Sequence, residues 1–250
     1  WLVSRELIDL GWFGLGLVPV AAVTVMLLRW RNVGLGWQPL IAIVRASAQL
    51  AVIAILLAGV FKTPWLVIAF IVLMFSTASW TSARRVAELH HGRRAAVTGV
   101  LAGAGLSIGA VFALGLMDTN VRYLIAVAGI VIGNSMSMVT LTGRNFGRLA
   151  LDRRDQVEGW LALGATPQRA YRDFGALAIK EALIPSLDQT KATGLVTLPG
   201  AFVGAIMGGA SPLEAAQFQL VVLAGIMLAM TITGLVVTAI IGRSPYVPMP

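Results

Sequence analysis

The 250 residues are 58% hydrophobic and 12% charged, with a net charge of +8 and no cysteine. Soluble domains carry about 25% charged residues, so an ordinary soluble globular chain is excluded, and the missing cysteines exclude disulfides, thiolate metal sites and cysteine catalysis. The basic excess is therefore read through its placement along membrane spans, not as a nucleic-acid footprint.

Apolar stretches near the ~20 residues that cross a bilayer as a helix recur at about 10–28, 39–61, 64–82, 95–117, 123–143, 193–210 and 219–241. A span must satisfy its own backbone hydrogen bonds in lipid, so helices are expected throughout. The ~10-residue alternating strands of a membrane barrel are absent. The predicted fold is all-α: a polytopic transmembrane bundle of about seven spans, one membrane-spanning domain over 1–250, with a polar insert at 144–191. The sequence begins at Trp1 rather than Met, and a trimmed N-terminus is expected.

Span 1 is followed by Arg29 and Arg31, and span 2 carries Arg45, the one charge well inside a predicted span, with Gln49 one turn later. A central arginine costs ~2.5–3.5 kcal/mol on insertion scales, so Arg45 is expected to face protein or water in a structural or gating role, with direct substrate contact as an alternative. Snorkelling is the competing reading, because Arg45 lies only ~9 Å along the helix from Pro39. Arg84, Arg85, Arg93 and Arg94 fill the loop before span 4. That loop also holds Glu88, His90 and His91, the only histidine cluster. Its basic surroundings repel cations, and it lacks the i, i+4 histidine step of a helical metal site.

Gly105/Gly109, Gly129/Gly133 and Gly200/Gly204/Gly208 keep a four-residue step, the spacing that lets membrane helices approach closely. Asn134 and Ser135 sit mid-span beside Met136 and Met138, either lining a polar pathway or joining helices. Methionines 136, 138, 207, 227 and 230 would suit a soft ion or serve as core filler.

The insert 144–191 carries 14 charged residues in 48. It reads as two helices. The first runs through about 156–163 and stops at Gly164, a natural C′ glycine. Thr166 then caps a second helix with Pro167 at its first position, and Pro185 is expected to end it near Ile184. Pro199 is expected to kink the following span, bending it at Gly200. In Ser211–Gln219, Ser211 and Glu214 form a capping box at Pro212. The sharper alternative makes Glu214, Gln217 and Gln219 an external gate or cation-release site.

Fifteen basic residues fall on the side of the insert and three, Arg5, Lys62 and Arg122, on the other. The positive-inside rule puts the insert and C-terminus in the cytoplasm and the N-terminus outside. No G-x-x-x-x-G-K-[ST] occurs, so the chain does not hold ATP in a P-loop.

Glu158, Gly159 and Gly164 resemble the E-A-A-x-x-x-G cytoplasmic signature of ABC transporter permeases, with Gly159 in place of the first alanine and the following proline displaced. The segments RASAQL (45–50), GNSM (133–136), LGATP (163–167), LIPSLDQTKATGLVTLPG (183–200) and SPLEAAQFQ (211–219) resemble the FetB-type permeases, a family that includes plant aluminium-tolerance proteins. The likeness covers about 39–241. It implies a bacterial inner-membrane permease subunit, an exporter of a metal ion such as iron. It also implies a homodimer, a separate ABC ATPase binding ATP and Mg, and no cofactor in this chain. The elbow residues Glu158, Trp160, Leu161, Leu163, Gly164, Ala165, Thr166 and Pro167 would then dock on the ATPase. The residue-level alternative is an amphipathic loop on lipid headgroups. An intramembrane hydrolase is disfavoured, since no histidine lies in a span and no Asp or Glu lies mid-span. An ATP-independent channel or secondary transporter is the functional alternative, although neither an internal repeat nor an acidic pair is visible.

Overall fold

The computed structural model describes residues 2–60 and 64–245. Every regular element among them is a helix, and the chain divides into two compact units, Trp1–Thr63 and Pro64–Pro250. With several helices long and apolar enough to cross a bilayer, the fold is the expected polytopic membrane bundle. Lys62, one of the three basic residues assigned to the far side, lies outside the described residues.

The first unit is a helical hairpin, α1 (Leu2–Trp30) and α2 (Gln38–Val60). Asn32 ends α1 in the left-handed conformation (φ 53°). Its N–H donates to the Arg29 carbonyl and that of Val33 to the Leu28 carbonyl, both at 3.0 Å, the two bonds that close a Schellman turn. The Arg29 guanidinium lies 4.2 Å from the Trp37 ring centroid, a cation–π contact of the kind favoured where a span meets water.

The second unit contains α3 (Pro64–Arg85), α4 (Gly92–Ala113), α5 (Val121–Asp152), α6 (Arg154–Ala162), α7 (Pro167–Ala192), α8 (Gly200–Met207) and α9 (Pro212–Ile241). Helices α4 and α9 pack most extensively, and α5 touches α3, α4, α7 and α9. The core is built from small and β-branched side chains: Val100, Val127, Val131, Val139 and Val237 are fully buried. Gly99 and Gly103 sit directly against Val237 and Thr233. Close backbone approach at small residues is how helices gain packing when lipid removes the hydrophobic drive between them.

Several sequence expectations are corrected. Helix α5 does not stop near 143 but runs to Asp152, because Phe146, Leu149 and Ala150 are buried and hold the extra turns. The second insert helix passes through Pro185 to Ala192. Burial of Ala178 and Ala182, the latter against Met138 and Met230, outweighs the missing proline N–H.

Residues 193–210 are not one long helix. Gly194 turns the chain at φ 91°, and Pro199 is the N-cap of α8 rather than a kink within a span. At eight residues α8 is ~12 Å long, well short of a bilayer crossing. The glycine steps at 105/109 and 200/204 face open space, and neither they nor Gly133 meet a neighbour within 4 Å. The four-residue step marks one helix face without saying which face is packed.

Candidate functional site: an elbow and a polar cavity on one helix

The elbow is set by backbone chemistry. Gly164 has φ 83°, the left-handed region where only glycine is unstrained. Its N–H donates to the Leu161 carbonyl and that of Ala165 to the Trp160 carbonyl, each at 3.0 Å. This Schellman turn satisfies the last carbonyls of α6. Thr166 takes the extended N-cap conformation of α7 without a capping bond from its hydroxyl, and Pro167 follows at the first position. Proline there loses no helical bond and presets φ.

Around this frame Glu158, Trp160, Leu163, Gly164 and Thr166 are exposed, while Leu161, Ala165 and Pro167 are half-buried. Val157 is fully buried and Leu161 packs against the core, which anchors α6. Leu163 is 84% exposed, an apolar tip. Glu158 accepts from Arg154 Nε at 2.6 Å, and the Arg169 guanidinium lies 5.9 Å from the Trp160 ring centroid.

From this elbow α7 runs ~35 Å from Pro167 to Thr190. Its first half packs through Tyr171, Phe174 and Gly175; Gly175 faces Thr238 of α9, and the Tyr171 ring lies 5.5 Å from that of Phe146 on α5. Its second half lines a cavity of about 190 Å³ with Ser186, Gln189 and Thr190. Asn134 of α5, Gln219 of α9 and Thr193 complete the polar part of the wall, and Pro199 and Ala201 also line it.

Thus the structure brings Asn134, Pro199 and Gln219 together. Gln219 is only 6% exposed, and its Oε1 is buried without a hydrogen-bond partner. An orphaned buried carbonyl costs about 1–3 kcal/mol.

The other pathway candidates separate. Ser135 is buried with its Oγ unpartnered, and Met136 packs half-buried against the core. Gly200 is exposed at the start of α8. Arg45 and Gln49 are exposed on α2, so the first unit offers Arg45 no buried partner. Glu214 accepts from the Ser211 N–H at 2.8 Å and the Ser211 hydroxyl at 2.9 Å, while the Ser211 hydroxyl accepts from the Glu214 N–H at 3.3 Å. The capping box is formed, and the Glu214 carboxylate is engaged in it.

Ser186, Gln189, Thr190 and Thr193 carry no signal in the sequence alone. Their spacing is a single helical face, visible only if the helix is carried past Pro185. The same extension brings Asp188 and Lys191 beside the cavity, where they pair at 3.6 Å with both side chains exposed. Asp188 and Lys191 thus lie on the last turns of a helix and not in a loop.

The His90 and His91 ring centroids lie 4.1 Å apart with the planes tilted by 58°. Burial first and the neighbouring His91 second lower the basicity of His90. No cluster of three metal-ligating His, Cys, Asp or Glu residues occurs among the described residues.

Comparison with known proteins agrees with this architecture. The uncharacterised protein family UPF0014 matches residues 12–246. The rice UPF0014 membrane protein STAR2 is 37% identical over 225 residues, 88% of this chain and 78% of its own. Protein ALUMINUM SENSITIVE 3 of Arabidopsis thaliana is 36% identical over 231 residues, 88% and 83% of the two chains. The probable iron export permease protein FetB of Escherichia coli is 29% identical over 180 residues, 71% and 70%. No solved structure matches. The chain belongs to the UPF0014 family of multi-pass membrane proteins, whose members include permeases of the FetB type.

Proposed function

We propose that this chain is the permease subunit of an ATP-driven ABC transporter that exports a metal ion such as iron. It works as a homodimer, each copy coupled to a separate ATPase that binds ATP and Mg. The observation that supports this reading is the continuity of α7: one helix begins at the exposed elbow and ends in the wall of the polar cavity. Movement imposed on Leu163–Pro167 is carried along a packed rod, since close-packed interfaces shift between discrete arrangements. Pro185 leaves the Glu181 carbonyl without its helical donor, giving the rod a compliant point beside Ser186.

Orientation follows from where the charges gather. Gly143 of α5 lies against Val86 and Leu89, and Gly242 against Tyr171. The end of α3, the lower part of α5, the start of α7 and the end of α9 therefore share one end of the bundle. Arg84, Arg85, Arg93, Arg94, Arg144, Arg148 and Arg243 lie there too, and by the positive-inside rule this clustering supports a cytoplasmic elbow and C-terminus. Export of a metal is supported by the likeness to the Escherichia coli protein, whose name gives iron export as its role. One copy offers half a pathway, because the face of α7 bearing Asp188, Gln189 and Lys191 is exposed, and charges at membrane depth need protein or water beside them. Arg45 and Gln49 are assigned to gating on α2.

Co-purification tests the coupling. Affinity-tagged chain, extracted in several mild detergents, is expected to retain a P-loop ATPase. Recovery without one in every detergent would favour the ATP-independent channel. The chain has no cysteine, so Leu163→Cys supplies a single labelling site. Modification of that cysteine from the exterior would sink the docking assignment.

A further inference from the structure

Helices α7 and α9 run antiparallel in a fixed register. Gly242 faces Tyr171, Gly175 faces Thr238, and Gly234 faces Ile179, so each turn along α7 is met by one turn back along α9. Beside this seam a groove of about 330 Å³ opens between the two helices. Its lining changes character along its length. At the end of α9 it holds Gln168 and Arg172, and further in it is walled by Gly175, Ala176, Ile179, Leu235 and Ala239. The register sets the depth. Arg172 is level with Ile241, the last residue of the apolar helix α9, and Arg243 follows, exposed. Ile179 lies seven residues inward, ~10 Å into the apolar layer. The groove therefore begins where lipid headgroups lie and continues among acyl chains.

Charge and width together select the occupant. Arg172 is exposed, and among the described residues it makes no ion pair. No acidic side chain lines the groove. A guanidinium matches the oxygens of a phosphate, and the Gln168 amide offers further donors beside it. A choline headgroup would bring its fixed positive charge beside Arg172 and Arg243, so a net negative headgroup is the complementary one. An α-helix ~10 Å across fills roughly 800 Å³ over the same length, more than twice the groove, so a helix of a second copy would meet it with side chains only. A single acyl chain is thin enough to lie along it.

We propose that the groove between α7 and α9 holds one acidic phospholipid, its phosphate at Arg172 and Gln168 and one acyl chain against Ala176, Leu235 and Ala239. Basic pockets between spans at the cytoplasmic side are suited to such headgroups. The lipid lies against the half of α7 that joins the elbow to the polar cavity. The site depends on the membrane placement of α9 and not on coupling to an ATPase.

Thermal unfolding of the purified full chain in a neutral detergent tests it. Phosphatidylglycerol is expected to raise the unfolding temperature by several degrees more than phosphatidylcholine with the same acyl chains, because a ligand stabilises the fold that binds it. A basic residue near an anionic headgroup is worth about fivefold in affinity, so Arg172→Gln should need at least about fivefold more phosphatidylglycerol for half the shift. Ala239→Trp and Ala176→Trp fill the groove from exposed positions. Each should unfold like wild type in phosphatidylcholine and lose the extra shift; where one of them unfolds early, the other decides. Arg93→Gln, which removes an exposed arginine outside the groove, should respond like wild type. Glycerol phosphate, a headgroup without a chain, should shift nothing. Equal stabilisation by the two lipids overturns the proposal, and so does a full shift in a folded tryptophan variant. Weakening in Arg93→Gln as large as in Arg172→Gln overturns it too, as general attraction to a basic surface. The chain has no cysteine, so a disulfide-linked dimer of Ala239→Cys in native membranes would give the groove to a second copy and also overturn the proposal.

Discussion

Thr233 on α9 donates its hydroxyl proton to the carbonyl oxygen of Gly99 on α4 at 3.1 Å. Two turns further along α4, Ser107 returns the exchange by donating to the Gly225 carbonyl of α9 at 2.7 Å. Between them Gly103 has no space for a Cβ, because Thr233 and the Ala229 carbonyl occupy it. The pair is thus held by hydroxyl–carbonyl bonds in both directions, possible only because glycine lets the backbones approach.

The first prediction separates the two contributions. Thr233→Val keeps the shape and removes the bond, and membrane hydrogen bonds are worth about 0.6–1.7 kcal/mol. Gly103→Val forces side-chain atoms into an occupied space, where overpacking costs about 1–3 kcal/mol or more. Thermal unfolding in one detergent should rank wild type above Thr233→Val and Thr233→Val above Gly103→Val. Gly105→Ala, whose Cβ meets nothing within 4 Å, should be nearly neutral. A Gly103→Val protein as stable as wild type would contradict the packing argument.

The elbow makes the second prediction, about shape against chemistry. Gly164→Pro cannot reach φ 83° and deletes the N–H that bonds the Leu161 carbonyl. Pro167→Asp leaves the elbow intact, since an acid in the first turn suits the helix dipole, but puts charge where an apolar surface stood. Both variants should insert normally and unfold within a few degrees of wild type, because the core residues lie elsewhere. Both should lose ATPase association and transport. Retained association in both would show that this turn is not the docking element.

A third prediction is of a small effect. Arg148 Nη2 on α5 meets Glu181 Oε2 on α7 at 2.9 Å, with the arginine side chain largely exposed. Such pairs contribute about 0.2–1 kcal/mol and weaken with salt. A double-mutant cycle on Arg148→Ala and Glu181→Ala should give a coupling below about 1 kcal/mol that shrinks when the salt concentration is raised tenfold. A larger, salt-independent coupling would mean that this pair, and not apolar packing, positions α7.

What the sequence reveals, and what it hides, follows from the physics of each signal. Hydropathy finds the cores of α3, α4, α5 and α9 because burial and lipid exposure both demand apolar side chains. Local turn chemistry places Gly164, Pro167 and the Ser211–Glu214 box correctly, since these depend on backbone bonds within five residues. The errors arise where tertiary contact outweighs local preference. Pro185 reads as a helix end, yet the burial of Ala182 against Met138 and Met230 carries α7 through it. With α7 cut short, 193–210 is needed as a span, and the Ser186–Thr193 face disappears into a loop. Asn134 and Gln219 stand out because amides are rare in apolar helices, but nothing local says that two such residues share one cavity.

The last prediction concerns that proline. Pro185 lies between Ala182, packed in the core, and Ser186, which lines the cavity. A proline inside a helix costs about 3 kcal/mol through its missing N–H and its clash with the preceding turn. Helix α7 tolerates this where a plain residue would be more stable. Pro185→Ala should therefore restore a donor to the Glu181 carbonyl and raise the unfolding temperature by several degrees. If the compliant point lets the cavity wall move while the elbow half stays packed, the same variant should bind its ATPase normally yet transport several-fold more slowly. Thermal unfolding measured beside transport in reconstituted vesicles decides the matter. A stabilised protein with undiminished transport would show that motion of the elbow reaches the cavity through α7 as an unbending rod.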